Sequence, residues 1–520
     1  MSFLTITDEF YMSLLAVMMA ALIWHLWRFL LKVYLNWLLE RVPCVLPYIG
    51  NNYLLHLFLT PQLPVALAQE KVYKKLCSHK YGWYFVLTKP ILMIRDPDLI
   101  RMILHSSSFR DRKTGVDDKE DPLALSLNVM DGPRWKFIRS KISLIFSTNN
   151  LKEAHNQHTL TCIQDMDQYL KSEIAQNGGE INLTEFMYRL TTDLIGSFTL
   201  GEFTRQKGAL QVEVDSEFRR LGRLKSRDSQ TSLFWNLVQA LSPKLVSAFR
   251  KKEVSKQDEQ FFMSVVESAK QRLKKSQFIQ EMLKAQVEEE TKDVADPHCT
   301  DNVIAAVAFH FVTVASETLG LFLTYLIYEV SLEQPVLEKL YDEIRKVKKT
   351  RDLDDYDTMK KLTYLDMVIK ETLRKHPGAP ALGRICTKAF TIPDTDFTIE
   401  KGTQIKIPIH AIHRDETHHP KPEKFDPERF RSQNMKNIKA AGTYLPFGGG
   451  PRGCVGRGKV CNGRDQSTDG ACSGQLHHQT NGKNDGTARV RLPQKLCSGP
   501  GEGLVGPIRE EGVTVSYALR

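Results

Sequence analysis

The 520-residue chain reads as a mainly α protein with a small β region and an N-terminal transmembrane anchor. Three observations carry this. Apolar residues recur at helical spacing through most of residues 51–457. Runs with the two-residue alternation of strands are few and short. One stretch, residues 11–31, is apolar almost without interruption. At 42% hydrophobic and 25% charged, the composition excludes wholesale disorder, a collagen-like fibre and a multi-pass membrane protein.

The apolar segment comes first. About 20 apolar residues span a bilayer core, and the stretch is clean up to Trp24. Trp24 and Trp27 suit the interface, and Arg28 can snorkel. Asp8 and Glu9 precede it and Arg28, Lys32 and Arg41 follow, so the positive-inside rule puts the bulk of the chain in the cytosol. There is neither a basic n-region nor a small-residue cleavage site, as a signal peptide requires. A buried amphipathic helix is the alternative. We expect an anchor over 1–32 and a linker over 33–50, where Pro43 and Pro47 prevent helix continuation.

Residues 51–457 show no internal repeat and read as one domain. Helices are expected over 135–146, 183–200, 258–287, 303–330, 336–348 and 364–375. Strands are expected over 83–87, 91–94, 397–399 and 404–409. A body of this size can bury a core and enclose a large cofactor. Residues 234–249 are apolar between basic clusters, as in a core helix pair, a membrane-dipping loop or a lid.

The net charge is +10, with a pI near 9.0. The basic residues are scattered, with neither aromatic–basic RNA motif nor zinc-finger spacing, so no nucleic-acid partner is expected. Nine irregularly spaced Cys read as reduced thiols facing the cytosol.

The strongest motif is FGGGPRGCVG at 447–456. Its glycines permit close approach of the backbone to a flat ligand. Loop N–H groups aimed at Cys454 would stabilise a thiolate. The full pattern F-x-x-G-x-R-x-C-x-G resembles the haem-binding loop of the cytochrome P-450 superfamily. The likeness covers roughly residues 30–457. It is closest to the microsomal animal clan of vertebrate drug-oxidising and insect detoxifying enzymes.

The resemblance implies the cytochrome P-450 fold and a heme b whose iron is ligated by Cys454, with Phe447 packed beside the ligand. It implies that Arg452, Trp135, Arg139, Arg112 and Arg384 serve the haem propionates. It also implies a buried, structural Glu371–Arg374–Arg429 network, drawn from ETLR at 371–374 and FDPERF at 425–430. Unaided, the i, i+3 pair is a weak signal, and so is Trp135 four residues before Arg139.

Within the apolar helix 303–320, Glu317 and Thr318 are costly unless used. The family uses such a pair as a catalytic proton relay to iron-bound dioxygen. Ala315 stands where the family has Gly, and Val314 adds bulk, so we expect oxygen activation in a narrowed site. His310 is expected to line the pocket, and not to bind metal.

The resemblance implies an NADPH-dependent flavoprotein reductase as electron donor, with cytochrome b5 as a further partner, and a lipophilic substrate at the endoplasmic reticulum membrane. Lys136 and Lys141 are candidates for the basic face that docks the reductase. A reductase-independent haem-thiolate isomerase is the rival enzyme, against which the Glu317–Thr318 pair speaks.

Residues 458–510 break the pattern. The segment 458–508 holds 10 of the chain's 31 Gly and no Phe, Trp, Tyr or Met. The family has a long apolar helix there, whereas GRGKVCNGRDQSTDGACSGQ is a poor helix former. Dropping the first base of codon 458 and choosing among degenerate codons gives AKFAMAEIKVLMVHV, an amphipathic helix of the expected kind. The frame returns near Glu510, and residues 511–520 then alternate like a final strand. We read residues 458–510 as an out-of-frame tail, with poor haem retention expected of this literal chain; a non-catalytic, frameshifted pseudoenzyme follows if haem is lost. A zinc site from Cys461, Cys472, His477, His478 and Cys497 is the competing reading, with no standard spacing. Sequencing the transcript is expected to reveal compensating one-base shifts near codons 457 and 510; an uninterrupted read encoding GKVCNGRDQ overturns this.

Overall fold

The computed structural model describes residues 65–86, 89–112, 122–154, 159–176, 180–201, 256–271, 276–292, 297–350 and 352–455. It also describes isolated helical positions between 16 and 31, and the strands 44–45, 487–491 and 514–518. Residues 234–249, most of 458–510, and all five candidate zinc ligands of the tail lie outside the described residues.

Among the described residues, eleven helices of nine residues or more frame the body: α1 Val65–Lys75, α2 Pro97–His105, α3 Gly132–Ile145, α4 Leu160–Gln176, α5 Leu183–Leu200, α6 Lys256–Gln271, α7 Gln277–Thr291, α8 Asp301–Leu332, α9 Gln334–Lys348, α10 Thr363–Lys375 and α11 Ser432–Ala441. Local chemistry sets their ends. Asp96 caps α2 by accepting from the Leu99 N–H, with Pro97 at the first turn. Asn182 caps α5, which ends at Gly201 with φ 66°. Thr300 caps α8 by accepting from the Val303 N–H. The stretch expected as one helix over 258–287 is two, because Ser276 accepts from the Ile279 N–H and starts α7.

Ten strands are described, β1 Cys44–Val45, β2 Tyr81–Val86, β3 Lys89–Ile94, β4 Glu180–Asn182, β5 Leu382–Ile385, β6 Phe390–Thr391, β7 Thr398–Ile399, β8 Gln404–Ile407, β9 Thr487–Arg491 and β10 Thr514–Ala518. The main sheet runs β1-β2-β3-β8-β5. Strand β8 is shorter than the expected 404–409, because Pro408 precedes a helical turn at Ile409–Ile412. A second sheet runs β10-β9-β4, and its β10 matches the alternating C-terminal segment. Strand β9 falls within the tail and pairs in parallel with β4.

Helix α8 is the axis of the body. It is apolar and long enough to cross a membrane, yet half of its most apolar window is buried inside the fold. It contributes Val303–Ala308 and Val312 to one core cluster and Phe322, Leu323 and Leu326 to another. A π-helical turn at Phe311–Ala315 interrupts it. Just beyond, α5 and α8 exchange hydrogen bonds. Thr191 Oγ1 donates to Ser316 O at 2.8 Å, and Ser316 Oγ donates to Thr191 O at 3.2 Å. Gly320 allows this approach, since a Cβ there would stand 3.2 Å from the Tyr188 Cα and 3.3 Å from the Met187 carbonyl carbon. Those neighbours are backbone and cannot rotate away. Gly320→Val is therefore expected to destabilise the body by roughly 1–3 kcal/mol, read as a lower urea midpoint with an unchanged slope.

Candidate active site

The cysteine loop is shaped by two glycines with left-handed backbone, Gly448 (φ 70°) and Gly450 (φ 66°). At Gly450 a Cβ would lie 1.8 Å from the Leu104 carbonyl oxygen, so only glycine fits against the end of α2. Turn hydrogen bonds run from Gly448 N to Leu445 O (3.0 Å) and from Gly453 N to Gly450 O (3.0 Å). The Cys454 N–H donates to Phe447 O at 2.9 Å, which folds the cysteine back beside Phe447. The Cys454 residue is exposed, and Val455 packs on the core cluster that holds Val312 of α8. From α3, Arg139 Nη2 donates to Gly453 O at 2.8 Å, and its charge lies within Coulomb reach of Cys454. Gly456 lies outside the described residues.

Beside the loop is a cluster of guanidinium groups. Arg452 donates from Nη2 to Asp131 Oδ1 (2.8 Å) and from Nε to Arg110 O (2.8 Å). Its guanidinium carbon stands 3.9 Å from the Trp135 ring centroid, so the indole carries a cation on its face. Arg112 donates its backbone N–H to Asp131 Oδ1 (2.8 Å) and Nη1 to Asn128 O (3.3 Å). Arg384 donates Nη1 to Gly383 O (2.8 Å), while its Nη2 and the Arg112 Nε are buried with no hydrogen-bond partner. Burial, then the charges of Arg112 and Arg452, pull Arg384 down to about 9. Burial also lowers Arg452 to about 10, with Arg112 adding to it against the opposing pull of Asp131.

Buried cations with unspent donors call for anions. A haem brings two propionates, and a cysteine loop opened by glycines suits its flat ring and iron. The donor set therefore fits a thiolate-ligated haem. The sequence missed Asp131, which orients both Arg452 and Arg112. Its only local signal was an acid before Gly-Pro at the start of α3.

On α8, Val314, Glu317 and Thr318 are exposed and share one face by their i, i+3, i+4 spacing. Thr318 Oγ1 donates to Val314 O at 2.7 Å. A Cβ at Gly378 would approach the Thr318 methyl to 2.8 Å, so the chain after α10 confines this side chain. The π turn ends at Ala315, the position where the family has Gly. His310 contacts the Asn128 amide at 2.9 Å, and burial followed by Arg112 lowers it to about 4, so its ring is neutral near pH 7. Among the described residues no cluster of His, Cys and acids has the makings of a further metal site.

The expected network is present and fully buried at its centre. Arg374 donates to both Glu371 oxygens at 2.7 and 2.9 Å, to His413 O at 2.8 Å and to Pro422 O at 2.6 Å. Glu371 Oε1 also accepts from the Asp426 N–H (2.9 Å) and from Arg429 Nε (3.3 Å). The remaining Arg429 nitrogens reach Pro420 O and Lys421 O. His413, which sequence reasoning passed over, links this network to the cysteine loop. Its Nε2 accepts from the Leu445 N–H at 2.9 Å, so its Nδ1–H donates to Arg374 O at 3.0 Å. Of the two candidate docking lysines, Lys136 is exposed and Lys141 is paired with Glu288.

An open cysteine loop beside anion-seeking guanidiniums suits a haem-thiolate protein. Comparison with known proteins agrees. The family model described as Cytochrome P450 matches residues 43–458. "Probable cytochrome P450 6a13" of Drosophila melanogaster is 32% identical over 74% of this chain and 77% of its own length. "Probable cytochrome P450 6a14" of the same fly is 31% identical over 82% and 86%. "Cytochrome P450 6l1" of Blattella germanica is 28% identical over 87% and 88%. The chain belongs to the cytochrome P450 family, of the insect type, and is a haem-thiolate monooxygenase.

Deleting the acid at the centre of the network has a calculable result. Glu371→Ala leaves the fully buried Arg374 guanidinium uncompensated and removes one partner of the part-buried Arg429, so a loss of about 3–5 kcal/mol is expected. Chemical denaturation followed by circular dichroism measures it.

Proposed function

We propose that this chain is a membrane-anchored monooxygenase that places one oxygen atom from dioxygen in a lipophilic substrate, with electrons from NADPH through a flavoprotein reductase. The observation that carries the reading is the pairing of the Gly448–Cys454 loop with the Arg112–Arg384–Arg452 cluster, which suits thiolate and propionates together. When bound, the haem supplies the oxygen chemistry, tuned by electron density from the thiolate. Cys454 is the proposed iron ligand, with Phe447 at its back. Arg112, Arg384 and Arg452 are the proposed propionate partners. Arg139 spends its bonds on the cysteine loop's carbonyls and Trp135 supports Arg452, so both act through those neighbours as well.

Glu317 and Thr318 are the proposed proton relay. Thr318 Oγ1 donates to Val314 O; in this reading a rotation about its Cα–Cβ bond re-aims that proton across the exposed face, and Glu317 resupplies it. Val314 on the same face narrows the site and favours slender substrates.

The anchor reading is supported by exposed apolar side chains at helical positions, among them Val17, Ile23 and Trp24, and by the stack of Trp24 on Trp27. It puts the catalytic body on the cytosolic side of the endoplasmic reticulum. With Lys141 tied to Glu288, the basic docking face for a reductase or cytochrome b5 rests on Lys136. For the tail, the family match ending at residue 458 supports a change of reading frame at that point.

Thr318→Ala tests the relay. Reductase-supported turnover is expected to divert most of its electrons to peroxide or water, with the carbon monoxide difference spectrum unchanged. Unchanged coupling of electrons to product overturns the role.

A further inference from the structure

The π turn at Phe311–Ala315 has no cause in its own sequence. The five residues read FVTVA, with neither Pro nor Gly to break the α pattern. A π turn inside a helix is rare, so the packing around it has to hold it.

Two grips flank the turn. Just after it, Ser316 is fixed by its reciprocal hydrogen bonds with Thr191 of α5. At its first residue, the half-buried Phe311 ring is met by two others. Phe146, at the end of α3, stacks on it with centroids 5.8 Å apart and planes at 28°. Phe278 of α7 lies 5.1 Å away at 59°. Both partners are themselves held. Phe278 is fully buried in the first turn of α7, where Ser276 Oγ donates to Thr199 O of α5. Phe146 leans on Phe198 of α5, 5.6 Å away at 48°. All three separations are those of favourable aromatic pairs. Helices α3, α5 and α7 thus fix one end of the turn, and α5 also fixes the other.

Val314 lies between these grips. Its side chain is exposed on the face it shares with Thr318, and its carbonyl accepts from Thr318 Oγ1 at 2.7 Å. An i→i+5 turn holds more residues than an i→i+4 turn. If it straightened while Ser316 stayed fixed, Val314 would swing about the helix axis relative to Thr318.

We propose that Phe311 is a positioning residue. Its ring, gripped by Phe146 and Phe278, keeps the π turn in place, and the turn sets where Val314 presents its side chain and carbonyl to Thr318. The catalytic consequence rests on the relay reading of Glu317 and Thr318.

The test compares the full chain with Phe311→Ala, Phe278→Leu and Phe311→Tyr. Phe278→Leu loosens the grip without altering α8. Leu326→Ala is the packing control, since Leu326 is fully buried on α8 beyond the relay. Crystal structures read the backbone of residues 311–315, and reductase-supported turnover reads product formed per NADPH. Phe311→Ala and Phe278→Leu are expected to restore i→i+4 bonding through the turn and to lower product per NADPH about tenfold, with the carbon monoxide spectrum unchanged. Phe311→Tyr keeps the ring and retains both wild-type readouts. Leu326→Ala lowers the urea midpoint but moves neither. A π turn that persists in Phe311→Ala and Phe278→Leu overturns the proposal, and so does equal uncoupling in Leu326→Ala. A turn that straightens with coupling unchanged also overturns the positioning role, provided that Thr318→Ala uncouples. Failure of the relay reading shows separately, as unchanged coupling in Thr318→Ala itself.

Discussion

The site depends on one buried cation. Arg374 has no solvent to satisfy it, so each of its nitrogens finds an oxygen: two on Glu371, one on His413 and one on Pro422. A guanidinium in a dry interior is tolerable only when its charge is paired and each nitrogen finds an acceptor. That demand pulls residues 413 and 422 onto α10. His413 then passes the constraint on, because its second nitrogen receives the Leu445 N–H. Leu445 in turn closes the first turn of the cysteine loop through Gly448. A charge more than seventy residues away thus fixes where Cys454 begins its approach.

Helix α8 meets that loop from the other side. Its position is set by reciprocal hydrogen bonds between Thr191 and Ser316 and by the close backbone contact at Gly320. Glu329, further along, accepts from Lys375 Nζ at 3.0 Å and His376 Nε2 at 2.6 Å, which ties α8 to the end of α10. The same helix that carries the network therefore also holds α8. Rigid elements on both sides leave the loop and the Glu317–Thr318 face little freedom to separate.

Much of this was legible beforehand. The helical segments 183–200, 336–348 and 364–375 carry strong apolar periodicity, and the described helices match them within a residue or two. The cysteine loop was legible because five fixed residue types, Phe447, Gly450, Arg452, Cys454 and Gly456, fall at set places within ten consecutive residues. Asp131 and His413 were not. Each is a common residue type in a short, undistinguished context, and each matters through a partner 32 to 321 positions distant. The split of 258–287 was likewise hidden, since a serine cap is a local hydrogen bond that leaves apolar spacing almost unchanged.

By itself the sequence determined the mainly helical class, the cysteine that can ligate iron, the acid–hydroxyl pair on an apolar helix, and the break in character at residue 458. These are properties of composition, spacing and contiguous motifs, which need no folding to exist. Tertiary structure alone decided that Arg452 rests on Trp135, that Gly450 abuts the Leu104 carbonyl, that a π turn interrupts α8 at Phe311–Ala315, and that Lys406 lies over Gly383. The physical reason is the same in each case. Desolvation and close contact act between groups remote in the chain, and only packing brings them within range.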